Sequence, residues 1–113
     1  MKRTLCLILS MIAIASPSAA SMTGFGTINT IIYMKNGAIL FNTSAERTTP
    51  TPACQSATFP KRFAIDASTV SGQAYASGLI TAYAMGKKVR ITGTGTCDIF
   101  WDTETVQYFE VEN

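Results

Sequence analysis

The first twenty residues have the pattern of a secretory signal peptide, which limits the folded part of the chain to residues 21–113. A short basic start is followed by an apolar run over residues 5–15 and by small residues at 18–20. This order predicts cleavage by a signal peptidase between Ala20 and Ser21. The apolar run is about half of the roughly 20 residues that span a bilayer, so we expect export to the periplasm or the medium without a membrane anchor. The remaining 93 residues suffice for one small domain.

Charge and histidine content exclude several classes of function. The chain has nine basic and seven acidic residues, but two of the basic residues lie in the leader, so residues 21–113 carry seven of each. A domain without net charge has no long-range attraction for nucleic acid or anionic lipid. The chain has no histidine, which excludes His-based catalytic triads and His-containing zinc sites. A small hydrolase would need a nucleophile activated by Lys or a carboxylate, and no spacing suggests one. We therefore expect a non-enzymatic protein with no metal, no cofactor and no nucleic-acid partner.

Cys54 and Cys97 are the two cysteines outside the leader, and we expect them to form a disulfide. An even pair in a small exported domain is typical of a structural bridge rather than a redox or metal site. Closing a loop of 43 residues should stabilise the fold by roughly 4 kcal/mol in the chain-entropy description. The preceding glycines, Gly93 and Gly95, lack the Lys-Ser/Thr and the helix of a phosphate-binding loop, so we interpret them as a bent strand that leads to Cys97.

The residue pattern predicts one domain of five strands and one helix, in the order β-β-β-α-β-β. Runs that are rich in β-branched and aromatic residues, or that alternate in polarity, lie at 25–34, 38–43, 62–66, 88–92 and 106–112. Asn36-Gly37 separates the first two runs and predicts a hairpin with a type I′ turn. This is a mainly β, α+β class, and the order is that of a small Greek-key barrel of the OB type.

The predicted helix has Ser71 as its N-cap, continues to about residue 85 and stops at Gly86. Tyr75, Leu79 and Tyr83 recur at every fourth position and should cover the sheet.

The outward side of the predicted helix is polar but uncharged. Gln73, Ser77 and Thr81 form a narrow ridge there, and no charged residue occurs from 69 to 86. A helix that faces bulk water usually carries Lys and Glu on that side. The ridge suits close approach to a second copy, as in a ring of subunits. A general compositional bias of exported proteins explains the uncharged ridge equally well, so both interpretations stay open.

Aromatic residues concentrate in the last third of the chain, where Trp101 and Tyr108 are the candidate ligand-binding residues. Exported binding modules stack a sugar on an exposed Trp or Tyr, because these side chains join an apolar face to a polar tip. The core of a small domain also needs aromatic side chains, so packing of Trp101 in the core remains an alternative. The neighbouring acidic residues Asp98, Asp102 and Glu104 lack the spacing of a calcium loop and are interpreted as a solvated turn between strands.

Two stretches carry a resemblance to known proteins. The segment GKKVRI at 86–91 is similar to the helix exit and following strand of the B subunits of subtilase cytotoxin and typhoid toxin. Residues 82–97 resemble a group of small exported bacterial proteins that share the core AYA-x-GK-x-V-x-I-x-G-x-GTC. The toxin resemblance implies an OB fold and a ring-forming, glycan-binding subunit, pentameric by analogy. Residues 21–26 do not reproduce the Tyr- and Ser-containing segment with which those subunits bind sialic acid, so no sugar-binding residue is carried over.

Two functional hypotheses follow from these patterns. In the first, the protein is an exported, non-enzymatic OB-like module that binds a glycan and assembles as a homo-oligomer, like a toxin B subunit. In the second, it is a stand-alone periplasmic or secreted interaction or accessory protein that binds another exported protein and has no affinity for sugar. A neighbouring gene for an exported catalytic subunit would favour the first hypothesis.

Overall fold

Five strands and one helix follow one another in the predicted order. The computed structural model describes residues 20–113, so the predicted signal peptide, apart from Ala20, lies outside the described residues. The elements are β1 (Ile28–Tyr33), β2 (Ala38–Thr43), β3 (Arg62–Asp66), α1 (Val70–Ala84), β4 (Val89–Gly93) and β5 (Glu104–Val111). The α+β class and the order β-β-β-α-β-β are confirmed.

The strands form one five-stranded sheet in the order β1-β2-β3-β5-β4. β3 and β5 run parallel, and the other neighbouring pairs are antiparallel. β1 and β4 are the outer strands of this sheet, so the predicted barrel is not closed. Single backbone pairs, Met22 with Thr92 and Gly26 with Val89, tie the segment before β1 to β4. The segment before β1 therefore connects the two outer strands, β1 and β4, of the sheet.

The hairpin between β1 and β2 is confirmed, but its turn is not of type I′. A type I′ turn needs a positive φ at both central residues. Gly37 has a φ of +91°, whereas every non-glycine residue from 20 to 113 has a negative φ, Asn36 included. The N–H of Gly37 donates to the Met34 carbonyl at 3.1 Å, and the N–H of Met34 donates to the Ala38 carbonyl at 2.8 Å. The loop therefore has three residues with the glycine last, because Asn36 instead uses its Oδ1 to accept from the Ala38 N–H at 3.1 Å.

The helix begins two residues earlier than predicted. Thr69, not Ser71, is the N-cap, because the Thr69 Oγ1 accepts the N–H of Gly72 at 2.9 Å. A threonine in this position satisfies one of the N–H groups that the first turn leaves unpaired. The helix ends at Ala84, and Gly86 follows with a φ of +63°, which confirms it as the stop.

The buried side of α1 is lined by small residues rather than by the predicted tyrosines. Leu79 is fully buried and Tyr75 is half-buried, but Tyr83 is exposed, so its assignment to the core-facing side was wrong. The helix approaches β3 so closely that a Cβ at Gly72 would lie 1.7 Å from the Asp66 carbonyl oxygen. This close approach fixes the first turn of α1 against the end of β3, whereas Tyr83 lies in the last turn of the helix, where its ring is exposed.

The hydrophobic core lies between α1 and the inner side of the sheet. Phe41 and Phe63 stack at its centre, with ring centroids 6.1 Å apart. The other members are aliphatic, and the full set is Ile28, Phe41, Phe63, Ile65, Leu79, Ala82, Val89, Ile91 and Val106. Among residues 20–113, no helix is both long and apolar enough to cross a membrane.

The predicted disulfide is present. Cys54 and Cys97 are bonded, with their Cα atoms 6.1 Å apart and a separation of 43 positions in sequence. The bridge ties the irregular segment before β3 to the loop that follows β4. It therefore fixes the base of the segment that carries Trp101.

Candidate binding surface on the β4–β5 loop

Trp101 lies at the tip of the loop between β4 and β5, residues 94–103, and takes no part in the core. Its side chain is 77% exposed. The ring of Phe100 lies beside it, at a centroid distance of 6.2 Å and a tilt of 35°. Phe100 also pairs with Thr103 through the backbone, which closes a tight turn around Trp101. The loop thus presents a large apolar ring to solvent on a short, hydrogen-bonded turn.

Arg62 supports this turn from below. Its guanidinium lies 4.3 Å from the ring centroid of Phe59 and 5.7 Å from that of Phe100. The same side chain is buried and donates from Nη2 to Asp102 Oδ1 at 2.8 Å. A guanidinium held between aromatic faces and a carboxylate keeps all of these groups in one arrangement. We call Phe59, Phe100 and Trp101 the aromatic patch.

Further bonds fix both ends of the turn. Arg62 Nε donates to Thr103 Oγ1 at 2.9 Å. The N–H of Ser56, two residues after the disulfide cysteine Cys54, donates to the Asp102 carbonyl at 2.8 Å. Because the support is already ordered, a ligand that stacks on Trp101 loses little affinity to ordering of the loop.

Two clefts are lined in part by residues of the same loop. One has a volume of about 530 Å³ and lies between residues 50–54 and residues 95–97, with the disulfide in its wall. The other, of about 250 Å³, lies where the β1–β2 turn meets the loop and is lined by Asn36, Ala38, Asp66, Ser68, Asp98 and Ile99. The second cleft offers amide, hydroxyl and carboxylate groups. The loop therefore contributes residues to two concave surfaces and carries the exposed ring of Trp101, which lines neither of them.

Asp66 contributes a negative charge to the polar cleft. The hydroxyl of Ser68, and then its backbone N–H, donate to Asp66 Oδ1 and hold the pKa of this carboxyl below its ordinary value. The side chain therefore stays ionised under mildly acidic conditions. Ionised carboxylates accept hydrogen bonds from hydroxyl groups, which is one way in which proteins bind sugars.

The structure does not bring Tyr108 together with Trp101. Tyr108 lies on β5, where it pairs with Thr92 of β4, and its side chain is partly exposed. No ring contact or hydrogen bond within residues 20–113 joins it to the aromatic patch. The two candidate residues therefore belong to different surfaces.

A buried ion pair lies beneath the loop, and it was not predicted from the sequence. Glu104 is fully buried, not part of a solvated turn, and its Oε1 lies 2.5 Å from Nη1 of Arg47. Ser21 donates from its hydroxyl to the same Oε1 and accepts from Arg47 Nη1 at 2.7 Å. The N–H of Gly95 donates to Glu104 Oε2 at 2.8 Å. We call Ser21, Arg47 and Glu104 the buried polar cluster.

Gly93 and Gly95 make room for the buried polar cluster. A Cβ at Gly93 would lie 2.1 Å from Glu104 Oε2, and Gly95 has a φ of +81°. The two glycines thus do more than bend the strand toward Cys97, because they let the backbone approach a buried carboxylate. The pair of glycines was the one local signal that could have pointed to Glu104.

The predicted oligomer face lies on the outer side of α1. Gln73, Ser77 and Thr81 are all exposed. Thr81 Oγ1 donates to the Ser77 carbonyl at 2.8 Å, so this hydroxyl already has a partner within the helix. Ile80, three residues after Ser77, is also exposed. The outward surface of α1 is therefore uncharged and partly apolar.

A comparison of the chain with protein-family models, curated proteins and solved structures found no match. Evidence for a function therefore comes from the surfaces described above. Among the residues that the structure describes, no group of three or more His, Cys, Asp or Glu side chains is placed to hold a metal ion. A fold alone does not define a function. The aromatic patch is the surface with the clearest physical character.

Proposed function

We propose that the protein is an exported, non-enzymatic binding module and that its aromatic patch receives a sugar ring of a glycan. The observation that carries this proposal is the exposure of Trp101, 77%, on a turn that an arginine–aspartate pair and a disulfide hold in place. Exposing a tryptophan to water is unfavourable, so a fixed and exposed indole is typical of a recognition surface. The apolar face of a pyranose ring matches the indole face in size and character.

The polar cleft beside the loop supports the choice of a glycan. A sugar that stacks on an aromatic ring still has hydroxyl groups that need hydrogen-bond partners. Asp66, Ser68 and Asn36 offer such partners to a neighbouring sugar unit of the same glycan, because the cleft they line meets the β4–β5 loop at Asp98 and Ile99, close in sequence to Trp101. Export is supported by the leader pattern and by the disulfide, which persists in oxidising compartments.

The second candidate is an interaction protein without affinity for sugar. Trp is among the residues most enriched in those that dominate protein–protein binding, and the aromatic patch exposes Trp101 beside the ring of Phe100. In this case the partner is another exported protein. A protein partner would cover all of Phe59, Phe100 and Trp101, whereas one sugar ring covers a single aromatic side chain.

A glycan array distinguishes the two candidates. We expect the mature protein to bind a subset of glycans, and Trp101→Ala to weaken that binding by about 10- to 100-fold, which corresponds to roughly 1–3 kcal/mol. Because Trp101 is largely exposed, its replacement should change the free energy of unfolding by less than about 0.5 kcal/mol. Tyr33→Ala is the matched control, since Tyr33 is 64% exposed but lies on β1, and it should bind like the wild type.

A blank array, or equal binding by both variants, would contradict glycan binding at the aromatic patch. If the array is blank but Trp101→Ala abolishes capture of an exported protein by the mature domain, the interaction protein is the correct alternative.

Self-association through α1 is a separate part of the proposal. An uncharged outer helix surface lets two copies approach without repulsion between like charges, and the ring-forming B subunits that the sequence resembles would make the assembly a pentamer. We expect the mature protein to sediment as a homo-oligomer. Ser77→Glu combined with Thr81→Glu should give monomers with an unchanged far-ultraviolet spectrum, since each oligomer would bury several new carboxylates.

A matched pair of charges elsewhere controls for net charge. Thr51→Glu with Ala53→Glu adds the same two charges to exposed positions in the segment before β3. This variant should keep the mass of the wild type. A wild-type protein that sediments as a monomer at high micromolar concentration would refute the assembly.

A further inference from the structure

The predicted cleavage site lies directly against the folded domain. Ala20 is exposed, but Ser21, the next residue, is fully buried. The Ser21 hydroxyl belongs to the buried polar cluster with Arg47 and Glu104. The Ser21 carbonyl accepts the N–H of Gly93 at 2.8 Å. The chain thus passes from solvent to a buried position, with its hydroxyl and carbonyl hydrogen-bonded, within one residue.

The residues that follow are held on both sides. The N–H of Met22 donates to Thr49 Oγ1 at 2.9 Å, and the Met22 carbonyl accepts the N–H of Thr48 at 2.8 Å. The N–H of Thr23 donates to the Ile91 carbonyl at 2.9 Å. Thr23 is itself buried, and its Oγ1 accepts the N–H of Ile91 at 3.0 Å. Backbone groups of residues 21–23 are therefore hydrogen-bonded to β4 and to residues 48–49.

We infer that folding of the domain blocks cleavage of the Ala20–Ser21 bond, so that the signal peptidase has to act before the domain folds. The inference rests on the processing step of the proposed export. A peptidase holds its substrate as an extended strand on both sides of the bond that it cuts, and susceptibility depends on burial and hydrogen bonding of that backbone. Here the residues after the bond are already paired with the domain.

Release of this segment requires local unfolding. Freeing residues 21–23 removes Ser21 from Glu104 and Arg47, which leaves a buried ion pair with fewer hydrogen bonds, and it uncovers the edge of β4. Both changes cost free energy, so the open form is a minor population and cleavage slows in proportion to that population. A domain that folds first therefore keeps its leader.

The inference can be tested with two folded precursors. The first is the natural chain of residues 1–113. The second carries a copy of residues 21–24 inserted after Ala20, so that the same residues flank the scissile bond but the folded segment begins four residues further on. Both are refolded with the Cys54–Cys97 bridge formed and treated with a signal peptidase in detergent micelles. Mass spectrometry follows the appearance of a chain that begins with serine.

We expect the precursor with the inserted copy to be cleaved at least about tenfold faster than the natural precursor. Equal rates would overturn the inference and leave the processing site intact. Absence of cleavage in both would show that the bond between Ala20 and Ser21 is not the processing site, which overturns the inference together with the proposed maturation. The natural precursor should also become cleavable when the disulfide is reduced under conditions that unfold the domain, and failure to do so would contradict the inference as well.

Discussion

Replacing Arg47 with methionine is expected to destabilise the domain by about 3–5 kcal/mol, because it leaves Glu104 buried without its counter-charge. Glu104 is fully buried and Arg47 is almost so, with 2.5 Å between Nη1 and Oε1. Arg47 also lies over the Phe63 ring at 4.3 Å and donates from Nε to the Pro60 carbonyl at 2.5 Å. Methionine fills much of the same volume, so the loss reports charge and hydrogen bonding more than packing.

Urea unfolding of the mature domain measures this loss. Lys61→Met is the matched control, since Lys61 pairs with Glu46 at a similar distance but at the surface, and its removal should cost less than about 1 kcal/mol. Adding Glu104→Gln to Arg47→Met should restore much of the stability, because the buried charge is gone and the amide keeps two polar atoms near Ser21 and Gly95. Equal losses for Arg47→Met and Lys61→Met would show that Glu104 is not buried as described.

Loss of the disulfide is expected to have an effect of similar size. Replacing Cys54 and Cys97 together with serine reopens a loop of 43 residues and should lower the free energy of unfolding by roughly 4 kcal/mol. For a domain of this size that corresponds to a fall in Tm of roughly 15–30 °C. The effect arises largely in the unfolded chain, which gains conformations when the bridge is absent.

Thermal unfolding with and without a reducing agent checks this expectation, beside peptide mapping under non-reducing conditions. Mapping of the exported protein should recover Cys54 and Cys97 in one linked peptide. Free thiols at both positions in that material, or a Tm that the double replacement leaves unchanged, would contradict the account of the bridge.

Most of the elements could be predicted because their signals are local. Alternating polarity marks β4, β-branched runs mark β1 and β2, and the helical spacing of Tyr75 and Leu79 marks α1. The disulfide could be predicted from the number of cysteines together with the signal-peptide pattern of residues 1–20. In each case the information lies within a few residues or in a simple count.

The predictions that failed depended on packing between distant residues. Tyr83 has helical spacing with Leu79, but it lies in the last turn of α1 and is exposed, whereas Leu79 is fully buried. Glu104 follows two aspartates and resembles a turn residue, yet it meets Arg47, 57 residues earlier in the chain. No periodicity in the sequence connects such pairs.

In the candidate site, too, some features could be predicted from local sequence and others depend on contacts between distant residues. The sequence indicates Trp101 as a candidate ligand-binding residue, but it does not distinguish a position in the core from a position at the surface. Its exposure follows from Arg62, which lies on β3 and fixes the turn through Asp102 and Phe100. Tyr108 was grouped with Trp101 because both are aromatic and close in sequence, although β5 carries it to another surface.

The most direct test of glycan binding at the aromatic patch is the quenching of Trp101 fluorescence by acrylamide, with and without a glycan that the array identifies. The chain has one tryptophan, so the signal reports this position alone. We predict strong quenching of the free protein, because the ring is open to solvent, and a saturable loss of quenching as the glycan is added. Quenching that stays the same while the glycan binds would show that recognition takes place elsewhere, and would contradict the proposed role of Trp101.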